Sequence, residues 1–410
     1  MDVRTLVPRP ESFTSRLRGP EVTSRVGVWL GVCFLVTFLT GLYSHYQQDM
    51  PGWLTLPTRP VSLYRISQGL HVIAGTAAIP LLLIKLWSVF PKLFDRPDLG
   101  NVRRLGVQVL ERASIAVLVA SAIFQLAIGL ANTTHWYPWE FSFRATHYAV
   151  AWVAIGSLLV HIAVKLPIIR TALLGPVEGT TAPAAARRGH VDRASGETGT
   201  PKSAPSDDRQ QAGLSRRGLL RATWLATGLA VLTTAGATVP WLRKVSLFAV
   251  RDGEGPQGVP VNKSAFSARV TERAMSADYR LELVFGERTT RLSLDDLRSM
   301  PQTTATLPIA CVEGWSASGD WRGVRLRDLL AGALDARGGN DVVVSSLQES
   351  GPYILTLLPA QFVDDDLTLV ALELNGEPLD LDHGYPCRLI APNRPGVLQT
   401  KWLASVEVEA

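Results

Sequence analysis

A chain of 410 residues has room for two or three domains. Hydrophobic residues make up 47% and charged residues 19%, and the mean hydropathy is positive, which argues against a wholly soluble protein and for one partly embedded in a membrane. The net charge of +5 falls mostly between apolar runs and reads as membrane topology rather than nucleic-acid binding, and three cysteines (Cys33, Cys311 and Cys387) are too few for a disulfide framework.

After a basic N-terminal segment, 1–25, four apolar runs lie near 26–43, 70–90, 113–131 and 147–169. They approach or reach the roughly 20 residues that a helix needs to cross a bilayer. Pro80 falls inside the second run, which is tolerated where neighbouring helices cover the released carbonyl. Arg4, Arg9, Arg16, Arg18 and Arg25 precede the first run. Lys85, Lys92, Arg96, Arg103, Arg104 and Arg112 cluster around the second connection, and Lys165, Arg170, Arg187 and Arg188 lie around and beyond the end of the fourth run. The other two connections carry Tyr43, Tyr46 and Trp53, and Trp136, Tyr137 and Trp139. The positive-inside rule then puts both termini of the bundle, 26–170, in the cytoplasm and the aromatic connections outside.

Histidine inside an apolar helix is expensive and functional by default. This half has His45, His71, His135, His147 and His161. His147 and His161 face one way on a single helix, about 21 Å apart along its axis, a spacing that suits two haems stacked across a bilayer. His45 and His135, at helix ends, read as interfacial or capping. The run from Arg144-Ala145-Thr146-His147 to His161-Ile162 resembles the last helix of the cytochrome b subunits of formate dehydrogenases and hydrogenases. Gln68-Gly69-Leu70-His71-Val72-Ile73-Ala74-Gly75 resembles their second helix. The resemblance implies an outer haem b held by His71 and His147, and neutral imidazoles suit that role. The start of the first helix, Arg25-Val26-Gly27-Val28-Trp29, lacks the histidine that in that family pairs with the equivalent of His161. One haem is therefore expected, with His161 left as the candidate ligand of a second.

Residues 171–214 are rich in Gly, Ala, Pro, Ser and Thr and read as a flexible cytoplasmic linker. Next comes Ser215-Arg216-Arg217-Gly218-Leu219-Leu220 and a moderately apolar run to Leu242, which resembles a twin-arginine export signal placed internally. A domain that folds around a cofactor before crossing needs such a signal, and an even number of helices returns the chain to the side where it starts. Ala235-Gly236-Ala237 offers a small-x-small cleavage pattern, but retention of 215–242 as a fifth anchor helix is the expectation.

From 243 to 410 the pattern is soluble. Strand-like runs at Arg280–Phe285, Asp341–Ser345, Tyr353–Leu358 and Thr368–Leu374 alternate with turn signals, and short helices are expected at Leu294–Ser299 and Leu326–Leu334. Within it, Ala310-Cys311-Val312-Glu313-Gly314-Trp315-Ser316 sets a cysteine among small, polar and aromatic residues. A thiolate at the end of an extended segment is a good soft ligand for a heavy transition metal, whereas a lone cysteine is otherwise a small buried hydrophobe. This stretch, with Trp321, Gly323-Val324 and the Leu-rich helix after it, resembles the molybdenum-binding segment of the sulfite oxidase family. The run from His383 to Pro392, with Gly396 and Lys401-Trp402, resembles that family's second cofactor-binding segment. Together they cover roughly residues 278–408. The resemblance implies a molybdopterin whose molybdenum is held by Cys311, with Arg388, Asn393 and Lys401 on the pterin and its phosphate. His383 would bond the pterin or cap a turn, and Glu313 and Trp315 would shape the cavity. Asp364-Asp365-Asp366 reads as an exposed turn.

The expected fold class is a membrane α-helical bundle, four helices plus a fifth anchor, followed by an extracytoplasmic α+β molybdopterin-binding domain. The expected function is a plasma-membrane oxidoreductase that moves an oxygen atom to or from a small substrate and exchanges electrons with membrane quinone through haem b. Oxidation of a sulfite-like donor and reduction of an S-oxide or N-oxide both fit. Membrane lipid is an expected partner and nucleic acid is not. The alternative is a cofactor-free sulfite oxidase-like binding module on a membrane anchor.

Overall fold

The computed structural model describes residues 13, 15–94, 100–177, 214–249, 255–335 and 338–409. The expected linker lies outside them except at its two ends, as does most of the N-terminal segment. Among the described residues four helices, α1 (Pro20–Gln48), α2 (Leu63–Val89), α3 (Val102–Thr133) and α4 (Phe143–Leu174), are long and apolar enough to cross a membrane. Each outruns the apolar stretch that marks it, because its flanks also favour helix. Pro20 opens α1 with a preset φ and no N–H to satisfy, and Asn101 caps α3 by accepting from Arg104 N. Helix α2 runs unbroken through Pro80.

A fifth helix, α5 (Arg216–Thr234), is capped by Ser215 and packs along α2. Its start lies beside the start of α1, with Arg216 Nη1 3.4 Å from the Glu21 carboxylate, and Trp224 meets Trp29 edge-on at 4.9 Å. The basic ends of the bundle interlock: Arg25 donates to Ala172 O at 3.1 Å and Lys85 to Thr23 O at 2.9 Å. Val22, Val26, Leu30, Ala78, Leu81 and Leu82 fill the contact between α1 and α2. Large apolar side chains, among them Leu39, Leu83 and Leu159, stand exposed on the outside.

The C-terminal domain is built on ten strands: β1 (Leu281–Phe285), β2 (Arg288–Leu292), β3 (Thr303–Ala310), β4 (Ser316–Arg325), β5 (Val342–Ser346), β6 (Leu355–Leu358), β7 (Leu369–Leu374), β8 (Glu377–Pro378), β9 (Arg388–Ile390) and β10 (Leu403–Val408). One sheet has the order β2-β1-β10-β5-β6, antiparallel except for β1 beside β10. The other runs β3-β4-β7-β8, with β9 also on β7. Side chains alternate across β7 up to Leu372, where a register shift against β4 moves Leu374 to the other face. Val370 and Leu372 join the core shared by both sheets, while Leu369, Ala371 and Leu374 pack the opposite face with Leu307, Trp321 and Ile390.

This domain sits on the helix ends that carry the aromatic connections. Asn393 Oδ1 accepts from Tyr64 N at 2.7 Å and from Tyr43 OH at 3.1 Å, and its Nδ2 donates to Pro57 O at 2.6 Å. Arg59 pairs with Asp365 at 2.9 Å, and Arg65 donates to Ser318 Oγ at 2.8 Å. Asp364 accepts from Gly339 N and Asp366 pairs with Arg327, so the three neighbouring acids serve three separate contacts.

Candidate active site

Strands β3 and β4 form a hairpin whose last pair is Ala310 and Ser316. The turn between them is Cys311–Trp315, closed by Cys311 N donating to Trp315 O at 2.9 Å and Gly314 N to Cys311 O at 3.1 Å. Gly314 has φ +91°, and a Cβ there would come within 2.9 Å of a Val72 methyl from α2. Glycine meets both conditions. Pro395 bridges to Ala310, which brings the segment leading to Lys401 alongside the turn. Cys311 is buried, yet it lines a cavity of about 350 Å³ together with Arg388, Lys401 and Trp402.

The cations of this cavity are held by carbonyls. Arg388 Nη1 donates to His383 O at 3.0 Å and Nη2 to Gln399 O at 3.1 Å, with the guanidinium 4.9 Å over the Trp321 ring. Its Nε is buried with no partner. Lys401 Nζ donates to Lys263 O at 2.5 Å and Asp382 O at 2.9 Å. Burial pushes Arg388 down to about 9; burial and then the Arg388 charge push Lys401 down to about 7. Desolvated positive charge without a counter-ion is costly, and an anion in the cavity removes the cost.

Residues 268–410 match the family model of the oxidoreductase molybdopterin binding domain. The C-terminal domain is a sulfite oxidase-like molybdopterin-binding domain. The chain is 31% identical over 159 residues to mitochondrial sulfite oxidase of Mus musculus, across 32% of this chain and 29% of that one. It is 31% identical over 152 residues to sulfite oxidase of Arabidopsis thaliana, across 29% and 39%. The crystal structure of the sulfane dehydrogenase SoxCD from Paracoccus pantotrophus matches at 26% identity over 33% of this chain and 40% of that one, with a TM-score of 0.29. The chain thus spans well under half the length of these relatives.

The residues of the molybdopterin domain fit the cofactor on two counts. A cysteine on the cavity wall supplies the soft donor, and the orphaned Arg388 Nε beside a carbonyl-bound Lys401 suits the phosphate of the pterin. Of the residues expected to bind it, Cys311, Trp315, Arg388 and Lys401 line the cavity. Asn393 does not: its amide is spent on Tyr43, Tyr64 and Pro57 of the helical half. His383 also stays out of the lining, with Nε2 2.7 Å from Pro256 O. Burial, and then Arg388, hold His383 down to about 4. Cys387 lies in the other core with Tyr279 OH 3.1 Å from its sulfur; burial pushes it up to about 12, and it forms no disulfide with Cys311.

A second cavity, of about 710 Å³, opens between the upper ends of the helices. His71 and His147 face each other in it, ring centroids 6.1 Å apart and planes at 60°. A metal–imidazole bond is about 2 Å and each centroid lies about 1 Å behind its nitrogen, so a metal held between two imidazoles sets the centroids about 6 Å apart. Thr40 Oγ1 lies 3.0 Å from His71 Nδ1, so a metal between the rings would meet His71 through Nε2. His147 Nδ1 is buried without a partner. Gly41 makes room for the His71 ring, which a Cβ would approach to 3.1 Å. Among the described residues no second imidazole stacks on His161.

The two cavities share a wall. Val312, Glu313 and Trp315 line both, with Cys311 of the same turn on the smaller cavity and Gly314 on the histidine cavity. Gln68 of α2 and Asn132 of α3 both donate to Val312 O, at 3.4 and 3.1 Å. Trp315 Nε1 donates to Glu313 Oε2 at 2.9 Å, and that oxygen lies 2.5 Å from His135 Nε2. Thr238, beyond α5, donates to Gly314 O. Sequence reasoning missed Gln68, Asn132 and Tyr137 as site residues. The available signal was their polarity at the ends of otherwise apolar helices.

Proposed function

We propose that this chain is a membrane-bound, molybdopterin-dependent oxidoreductase acting on a small substrate outside the cytoplasm, and that it exchanges electrons with the quinone pool through a haem b between His71 and His147. The observation that carries the reading is the shared turn: Cys311 lines the smaller cavity, Gly314 the histidine cavity, and Val312, Glu313 and Trp315 stand between and line both. The exposed apolar sides of the helices suit lipid, since water would penalise that surface. The docked domain lies at the end away from Arg25, Lys85 and Arg216, which supports an extracytoplasmic position. The packing of α5 along α2 supports its retention as an anchor after export under the Arg216-Arg217 signal.

Molybdopterin would supply two-electron oxygen-atom transfer, and a haem would accept or deliver electrons singly. The protein's own groups bind and orient. Cys311 would hold the metal, and Arg388 and Lys401 the phosphate end. Trp315 and Glu313 close the cavity. Thr40 holds the His71 ring by Nδ1, so that its other nitrogen would serve a haem. Gln68 and Asn132 hold the Val312 peptide in the wall between the two cavities.

Metal and cofactor analysis of the purified full-length protein tests this. Molybdenum is expected in the wild type and absent from Cys311→Ser. A reduced-minus-oxidised haem b spectrum is expected and should vanish in His71→Ala and in His147→Ala. A molybdenum-free, haem-free wild type would leave the domain a binding module on an anchor.

A further inference from the structure

The Cys311 cavity is only partly built by the molybdopterin domain. Asn132, His135 and Tyr137, from the end of α3 and the turn after it, complete its wall. That wall is tied to the cysteine turn twice. Tyr137 OH donates to Asn132 Oδ1 at 2.8 Å, and Asn132 Nδ2 in turn donates to Val312 O, so the Tyr137 ring is coupled to the peptide after Cys311. His135 Nε2 lies 2.5 Å from the Glu313 carboxylate. His135 also has φ +55°, a conformation that glycine would adopt without strain. Across the cavity stand Lys263, Arg388 and Lys401, and among the described residues Glu313, already engaged by His135, is the one acid in the lining. A cavity of about 350 Å³ with this charge balance admits compact anions and turns away cations and bulky molecules.

We infer that His135 and Tyr137 are specificity-determining residues: the helical half supplies the substrate-facing wall of the Cys311 site. This rests on the reading of the Cys311 cavity as the site. Two anions have a claim on the cavity, the phosphate of the cofactor and the substrate, and titrating the cofactor-loaded protein separates them.

The test is calorimetric titration of the detergent-solubilised full-length protein with sulfate as probe, alongside molybdenum analysis. The loaded wild type is expected to bind sulfate. Tyr137 OH is spent on Asn132 and His135 Nε2 on Glu313, so His135→Ala and Tyr137→Ala act by opening the wall and should each weaken sulfate binding about tenfold, at unchanged molybdenum content. Tyr137→Phe, which keeps the ring and releases only Asn132, should lose less, and this milder variant carries the test if Tyr137→Ala fails to fold. In sulfite turnover the same substitutions should raise KM with kcat nearly unchanged, a split that mere loosening of the turn would not give. Wild-type affinity in the variants overturns the inference, as does sulfate binding confined to molybdenum-free protein. A wild type that carries no molybdenum at all sinks the reading of the site instead.

Discussion

Replacing Gly314 by alanine perturbs both cavities through one carbon atom. Gly314 has φ +91°, and its Cβ would stand 2.9 Å from Val72 Cγ2 and 3.4 Å from Thr133 Cγ2. A side chain in the left-handed region costs about 1–2 kcal/mol. Forcing a methyl into a filled contact costs about 1–3 kcal/mol, so Gly314→Ala should destabilise the docked state by about 2–5 kcal/mol. Urea unfolding of the detergent-solubilised full chain measures it, with the haem spectrum and molybdenum content read on the same samples. Adding Val72→Ala removes the nearest atom and should return the packing part while leaving the backbone part. Because the two residues touch, their coupling should exceed about 0.5 kcal/mol. A wild-type midpoint for Gly314→Ala, or no rescue by Val72→Ala, refutes the argument that this turn is pressed against α2.

The two buried cysteines of the molybdopterin domain should behave oppositely. Cys387→Ala leaves Tyr279 bonded to Leu403 O at 2.7 Å, so it should cost only about 1–2 kcal/mol and keep full molybdenum content, in contrast to Cys311→Ser; metal analysis and urea midpoints check both. Lys401 supplies a pH test in cofactor-free protein. Its folded value, about 7, lies below its ordinary 10.5, so between those values the unfolded chain binds a proton that the folded chain does not. Stability should therefore rise as pH goes from 7 towards 10, by at most about 5 kcal/mol. Lys401→Met should flatten the rise, and stability that falls over this window contradicts the burial argument. Loading the cofactor, which supplies the missing anion, should flatten it too.

The sequence was most legible where one face or one composition dominates. The apolar runs mark α1 to α4, and the short helices Leu294–Ser299 and Leu326–Leu334 appear at their expected bounds. The hairpin that carries the cysteine was not marked as a pair of strands, for physical reasons. Pro308 in β3 reads as a breaker, and is tolerated because β3 is an edge strand. Gly319 and Gly323 make β4 read as turn; at Gly323 the Val370 backbone passes too close for a Cβ, and at Gly319 a Cβ would displace the Leu374 methyl. At the site, the local motifs singled out Cys311, Arg388 and Lys401, and the fold brings these three to one cavity. Asn393, grouped with them in the sequence, instead bonds Tyr43, Tyr64 and Pro57, hundreds of positions away, and no local pattern encodes that contact. His135 and Tyr137 were read as a cap and an interfacial aromatic for the same reason.

The two halves of this polypeptide are not interchangeable modules joined by a tether. A domain grafted onto these five helices would have to reproduce the Asn393 bonds to the α1–α2 connection and meet the wall of Asn132, His135 and Tyr137; otherwise its cysteine chamber would be left open on one side.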